Sequence, residues 1–91
     1  MAAFNEFIQQ LKENINLADL IGSYVPLKKH GRYYMASCPF HGPERTPSFA
    51  VSPDKGFYYC FGCHESGDAI TFVEKMDHLT FMEAVRRLAD Y

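Results

Sequence analysis

Residues 38–41 read Cys-Pro-Phe-His, and after a further eighteen residues positions 60–63 read Cys-Phe-Gly-Cys. These two brackets hold all three cysteines of the 91-residue chain. Three thiols cannot pair off into disulfides, and cysteines this closely spaced in a reducing compartment read as metal ligands or redox centres. Zinc takes a tetrahedron of thiolates and imidazoles, and two ligands separated by two residues can grip one ion from a single tight turn. Both brackets have that spacing. Cys38 with His41 and Cys60 with Cys63 are therefore the expected ligands of one Zn²⁺. Pro39 favours the turn after the first ligand, and Gly62 lets the backbone curl around the metal.

Working outward, the residues before Cys38 and between the brackets have strand character. Val25–Lys29 and Arg32–Ser37 flank a tight turn at His30-Gly31. Ser48–Ser52 and Phe57–Cys60 flank a second turn, Pro53-Asp54-Lys55-Gly56. Each ligand pair thus sits at the end of a predicted strand, the arrangement of a zinc ribbon. On the N-terminal side Phe4, Phe7, Ile8, Leu11 and Ile15 fall at helical spacing, which predicts a helix over 4–14. Asn16 can cap a short second helix carrying Leu17, Leu20 and Ile21 and stopping near Gly22. On the C-terminal side Asp68 can cap a helix with an apolar face of Ile70, Phe72, Val73 and Met76. Thr80 with Glu83 forms a capping box for a last helix that buries Phe81, Val85 and Leu88. The expected fold is α+β: one zinc-binding domain over 1–91, with an antiparallel ribbon core at about 25–64 and helical flanks at 4–22 and 68–91. No stop signal follows the last helix, so the chain reads as a fragment of a longer polypeptide.

Composition narrows the classes. Aromatics at 15% and hydrophobic residues at 47% argue for a folded chain, and a core this small needs a staple such as a metal. No apolar run approaches the roughly 20 residues of a membrane span, and no signal peptide opens the chain, which reads as cytoplasmic with no membrane partner. A redox dithiol at 60–63 is disfavoured because such motifs open a helix, whereas this one closes a hairpin and leaves Cys38 and His41 unexplained. His64, next to Cys63, is an alternative to His41 as fourth ligand, although neighbouring residues rarely turn both side chains onto one ion. A hydrolytic zinc keeps one position open for water, whereas four protein ligands close the shell. Three thiolates on Zn²⁺ leave a net charge of about −1, a weak Lewis acid. Zinc deaminases need a His-x-Glu segment, and here His41 is followed by Gly42 and Pro43. The metal is expected to be structural, with no catalytic residue in the chain.

Charge is uneven. The formal net charge is −2, yet residues 26–64 carry Lys28, Lys29, Arg32, Arg45 and Lys55 against Glu44 and Asp54, a net +3, while the helical flanks hold −5. Rings are interleaved with those cations. Alternation sends Arg32 and Tyr34 to one strand face and Tyr33 and Met35 to the other, so one face can be core while the other sets a cation beside a ring. Each base stacked on an aromatic contributes roughly 1–3 kcal/mol while Lys and Arg follow the phosphates, a combination suited to single strands. Tyr34, Tyr58 and Phe61 are the stacking candidates, and Phe49 and Phe57 are expected in the core.

The stretch CPFHGPERTPSFAVSPDKGFYYCFGCHESGDAITFV, with LADLIGSYVPLKKHGRYY before it and FMEAVRRLADY after it, resembles the N-terminal zinc-binding domain of bacterial DnaG-type primases. The likeness covers nearly the whole chain. It implies an antiparallel zinc-ribbon sheet flanked by helices, with Cys38, His41, Cys60 and Cys63 on the zinc. It further implies a part of the enzyme that makes short RNA primers on single-stranded DNA, in which the zinc domain contacts the template. A separate polymerase domain with clustered carboxylates and Mg²⁺ joins the nucleotides, and a replicative helicase engages other regions. No such carboxylate cluster occurs here, so the chain is expected to bind and position, in contact with a polymerase domain of the same or a neighbouring primase. The chain departs from the family pattern in the length of its Gly-Pro-Glu-Arg stretch and in having His64-Glu65 where small residues are the rule. The alternative from another class is a zinc ribbon whose acidic helices dock a protein and touch no nucleic acid.

Overall fold

The computed structural model describes residues 2–40 and 47–90. Helices α1 (Ala2–Glu13) and α2 (Leu17–Gly22) come first, followed by strands β1 (Lys28–His30), β2 (Tyr33–Ala36), β3 (Phe49–Ser52), β4 (Phe57–Cys60) and β5 (Ser66–Gly67). Helices α3 (Ala69–Asp77) and α4 (Phe81–Ala89) end the chain. The strands form one sheet in the order β1-β2-β3-β4-β5, and each adjacent pair is antiparallel. The α+β class and the antiparallel sheet expected from sequence are both present.

The local signals act where the sequence places them. The Asn16 side chain accepts from the Asp19 N–H and starts α2, and the Asp68 carboxylate accepts from the Thr71 N–H and starts α3. At α4 the Thr80 hydroxyl accepts from the Glu83 N–H while the Glu83 carboxylate accepts from the Thr80 N–H, a complete capping box. Gly31 and Gly56 sit at φ 65° and 72°, the left-handed geometry that the two hairpin turns require and that glycine adopts without a steric penalty. The two-residue β5 was not predicted. It carries no apolar pattern and exists because Tyr58 and Tyr59 of β4 pair with Gly67 and Ser66.

The helices cover one face of the sheet. Leu17, Leu20 and Ile21 of α2, Ile70, Phe72 and Val73 of α3, and Ala84, Val85 and Leu88 of α4 pack with Phe49, Val51 and Tyr58 of the sheet. Phe40, Phe49, Tyr58 and Phe72 form the centre, with ring centroids 5.3–6.5 Å apart. Fully burying such a ring stabilises the fold by about 1.5–3 kcal/mol. Cys38 and Cys60 belong to the same buried cluster, which joins the metal brackets to the core. Among the described residues no helix is long and apolar enough to cross a membrane.

Candidate functional site

Antiparallel pairing delivers the thiols to one end of the sheet. Cys60 is the last residue of β4 and pairs with Phe49 of β3, and Cys38 follows the end of β2 by two residues. The turn after β4 then brings Cys63 back. Its His64 N–H donates to the Cys60 carbonyl at 2.8 Å, and the Gly62 and Cys63 N–H groups point at Cys60 Sγ at 3.3 and 3.5 Å. The Phe40 N–H makes the same contact with Cys38 Sγ at 3.4 Å. Amide hydrogens directed at sulfur offset the negative charge of a thiolate ligand. The three Sγ atoms lie within 4.8 Å of one another, and Cys38 Sγ and Cys63 Sγ are 3.7 Å apart. Zn–S bonds of about 2.3 Å in a tetrahedron place two sulfurs about 3.8 Å apart, so the donor set fits zinc. His41 and Arg45 lie outside the described residues. His64, the alternative ligand, is not in the thiol cluster: its Nδ1 is 2.7 Å from the Tyr59 hydroxyl.

The second feature is the sheet face away from the helices. Cross-strand pairing runs Lys28–Met35–Ala50–Tyr59–Ser66 across all five strands on this side. Tyr33, Met35, Ala50, Ser52, Phe57, Tyr59 and Phe61 line a shallow apolar depression of about 360 Å³. Tyr33 is 46% exposed, Phe57 41% and Phe61 66%. Phe61 packs edge-on to Tyr59 with centroids 4.9 Å apart. Lys28 is exposed on the first strand of this face, and Arg32 and Lys55 are exposed in the β1–β2 and β3–β4 turns. Arg32 is thus a turn residue and shares no strand face with Tyr34. Lys29 pairs with Tyr34 and is exposed at the sheet edge on the opposite face.

Four ring assignments from sequence are corrected. Tyr58 is fully buried among the core rings and offers no face for stacking, and Tyr34 is half-buried against the same core. Phe57 and Phe81, both expected to be buried, are 41% and 42% exposed, the last helix burying Ala84, Val85 and Leu88 instead, whereas Phe49 is fully buried as expected. Sequence reading missed Tyr33, Phe57 and Tyr59 as surface rings. The signal that separates them is register: Phe57 and Tyr59 alternate with Tyr58, so burial of Tyr58 turns both outward. The Tyr58 hydroxyl has no hydrogen-bond partner among the described residues, and burial, reinforced by the Glu65, Asp68 and Cys38 charges, raises its pKa far above the usual phenol value.

This zinc-compatible cluster on a five-stranded sheet has known counterparts. The zinc-binding and RNA polymerase domains of the Aquifex aeolicus primase contain the same fold, with TM-score 0.85 and 44% identity over 92% of this chain and 21% of that one. A DNA primase of Halalkalibacterium halodurans is 54% identical over 84 residues, and one of Lactococcus lactis 51% over 86. The chain covers only 14% and 13% of those two proteins. The family model described as CHC2 zinc finger, the DnaG zinc ribbon, matches residues 3–91, and the chain belongs to that family.

Proposed function

We propose that this chain is the template-recognition module of a DNA primase, one zinc-binding domain of a longer protein, and that its open sheet face binds single-stranded DNA. The observation that carries this reading is the row of exposed rings at Tyr33, Phe57 and Phe61 beside Lys28, with Arg32 and Lys55 at the turn tips. Rings without sequence-reading edges accept any base by stacking, and the cations follow the backbone. Cys38, His41, Cys60 and Cys63 hold one structural Zn²⁺, which supplies folding energy and fixes the end of the sheet from which Phe61 projects. Arg45 joins the phosphate contacts. Primer synthesis belongs to a polymerase domain with its own Mg²⁺, in the same or a neighbouring molecule, and the replicative helicase is engaged by other regions.

The protein-docking alternative is favoured by a different patch. Phe4, Phe7, Phe81 and Met82 are 40–53% exposed on α1 and α4, with the Phe4 and Phe81 rings 6.5 Å apart. Fluorescence anisotropy of the zinc-loaded chain with labelled single-stranded oligonucleotides separates the two. Template binding predicts an affinity that falls as salt rises and a shallower salt slope in Arg32→Glu. A chain that binds no oligonucleotide at low salt is a docking module.

A further inference from the structure

Helix α3 reaches the metal end of the sheet through one side chain. The Lys75 ammonium pairs with the Glu65 carboxylate and stands 5.6 Å from the centroid of the Phe40 ring. These two partners belong to different ligand brackets. Phe40 lies between Cys38 and His41, and its amide N–H is directed at Cys38 Sγ at 3.4 Å. Glu65 follows Cys63 by two residues, and its carbonyl accepts from the Cys60 N–H at 2.8 Å, a bond that spans the second bracket from end to end. Phe72, one turn before Lys75, meets the same Phe40 ring with centroids 5.9 Å apart. The helix thus lays a ring and a cation on the first bracket and an ion pair on the second.

We infer that Lys75 is a positioning residue for the metal ligands, a clip from α3 that holds the two brackets together and slows the loss of zinc. Zinc leaves through a local opening in which one ligand pair swings away from the other, and that opening must break Lys75 from Phe40, from Glu65 or from both. An exposed ion pair contributes little by itself, and a cation over a ring contributes a comparable amount. Here both contacts pass through one ammonium, so whichever bracket opens forfeits one of them. The inference rests on zinc as the occupant of the thiol cluster and is independent of template binding.

The test is the rate at which the zinc-loaded chain releases its metal to an excess of a colorimetric chelator, once zinc content and circular dichroism establish that each variant is folded. Lys75→Met keeps an apolar stem against Phe40 and loses the charge, and it is expected to release zinc about three- to tenfold faster. Glu65→Gln gives a smaller increase, and the double variant is no faster than Lys75→Met, because both changes remove one ion pair. Lys75→Arg retains a cation for both partners and stays within about twofold of the unaltered chain. Lys12→Met is the control. It breaks an ion pair of similar exposure, 33% and 32% against 37% and 40%, that ties α1 to the start of α3 instead of to the brackets, and it leaves the release rate unchanged. Release from Lys75→Met at the unaltered rate, or an equal acceleration in Lys12→Met, overturns the clip while leaving the metal site intact. A chain that is isolated without zinc and takes none up overturns both.

Discussion

Phe57 and Tyr58 are neighbours on one strand, yet the first is 41% exposed and the second fully buried. The same contrast runs across the sheet, with Phe49, Val51 and Tyr58 beneath the helices and Tyr33, Phe57 and Tyr59 on the open side. Both faces are aromatic, so ring content does not distinguish core from binding surface. What distinguishes them is which face α2, α3 and α4 cover, and the register that assigns each residue to a side. A ring covered by helices contributes to stability, and one left open remains available to a ligand.

The comparison depends on the metal end of the sheet, which holds both faces in place, and disturbing it gives the largest expected effect. Chelation of the zinc removes a binding free energy that is on the order of 10–16 kcal/mol in zinc-finger peptides, and Cys60→Ser, which takes away one ligand, removes part of it. The full value is as large as the whole stability of a small domain, about 5–15 kcal/mol. The expected result is loss of near-ultraviolet circular dichroism together with release of one zinc per chain, measured with a colorimetric chelator. A chain that keeps its dichroism after the metal has gone breaks the premise that the thiols staple the fold.

Next in size is the contrast between faces. Phe49→Ala and Phe72→Ala empty the buried cluster and cost about 3–5 kcal/mol each in chemical denaturation. Phe61→Ala, on a ring 66% exposed, changes stability by roughly 0.5 kcal/mol or less. Under the proposed template binding, its effect is expected on single-stranded DNA affinity instead, at about 1–3 kcal/mol per stacked base. Equal stability losses at Phe49 and Phe61 contradict the division into two faces.

Much of this was legible in the residues. Both hairpins, the caps at Asn16, Asp68 and Thr80, and the gathering of Cys38, Cys60 and Cys63 follow from turn chemistry, capping geometry and ligand spacing, all of which are local. The side to which each strand turns is not local. Period-two alternation divides Tyr33 and Met35 from Tyr34, and Phe57 and Tyr59 from Tyr58, but both sets contain rings, and only helix packing decides which set is covered. The sequence-based choice of Tyr58 as a stacking ring failed for this reason. β5 escaped notice because its two residues are ordered by β4 and not by their own preference.

Tyr58 also gives a smaller test. Its hydroxyl is buried without a partner among the described residues, and a polar group in that position opposes the burial of its own ring. Tyr58→Phe is therefore expected to leave stability unchanged or raise it by about 1 kcal/mol in urea denaturation. The outer Tyr59→Phe instead gives up the His64 contact. A clear loss of stability in Tyr58→Phe means that its hydroxyl is satisfied in solution.

The smallest effect expected is at Asp68, where the helical flank meets the sheet. Burial opposes ionisation of its carboxyl, but the Thr71 N–H and the Lys12 ammonium, 3.3 Å away, outweigh that and hold its pKa below the usual aspartate value. A carboxylate whose folded pKa is depressed contributes stability that is fully present above the unfolded value, and that contribution is lost as pH falls through the folded one. The proposed thiol and imidazole ligands take up protons and release metal at higher pH than this. The Asp68 contribution is therefore constant wherever the metal-bound fold exists. Asp68→Asn keeps a capping oxygen and removes only the ion pair, whose side chains are about one-third exposed, so the loss is below about 1 kcal/mol and shrinks with added salt. Between pH 5 and 8 the difference in melting temperature between the two chains should be flat, and a slope there would show that Lys12 and Thr71 do not hold the carboxyl ionised.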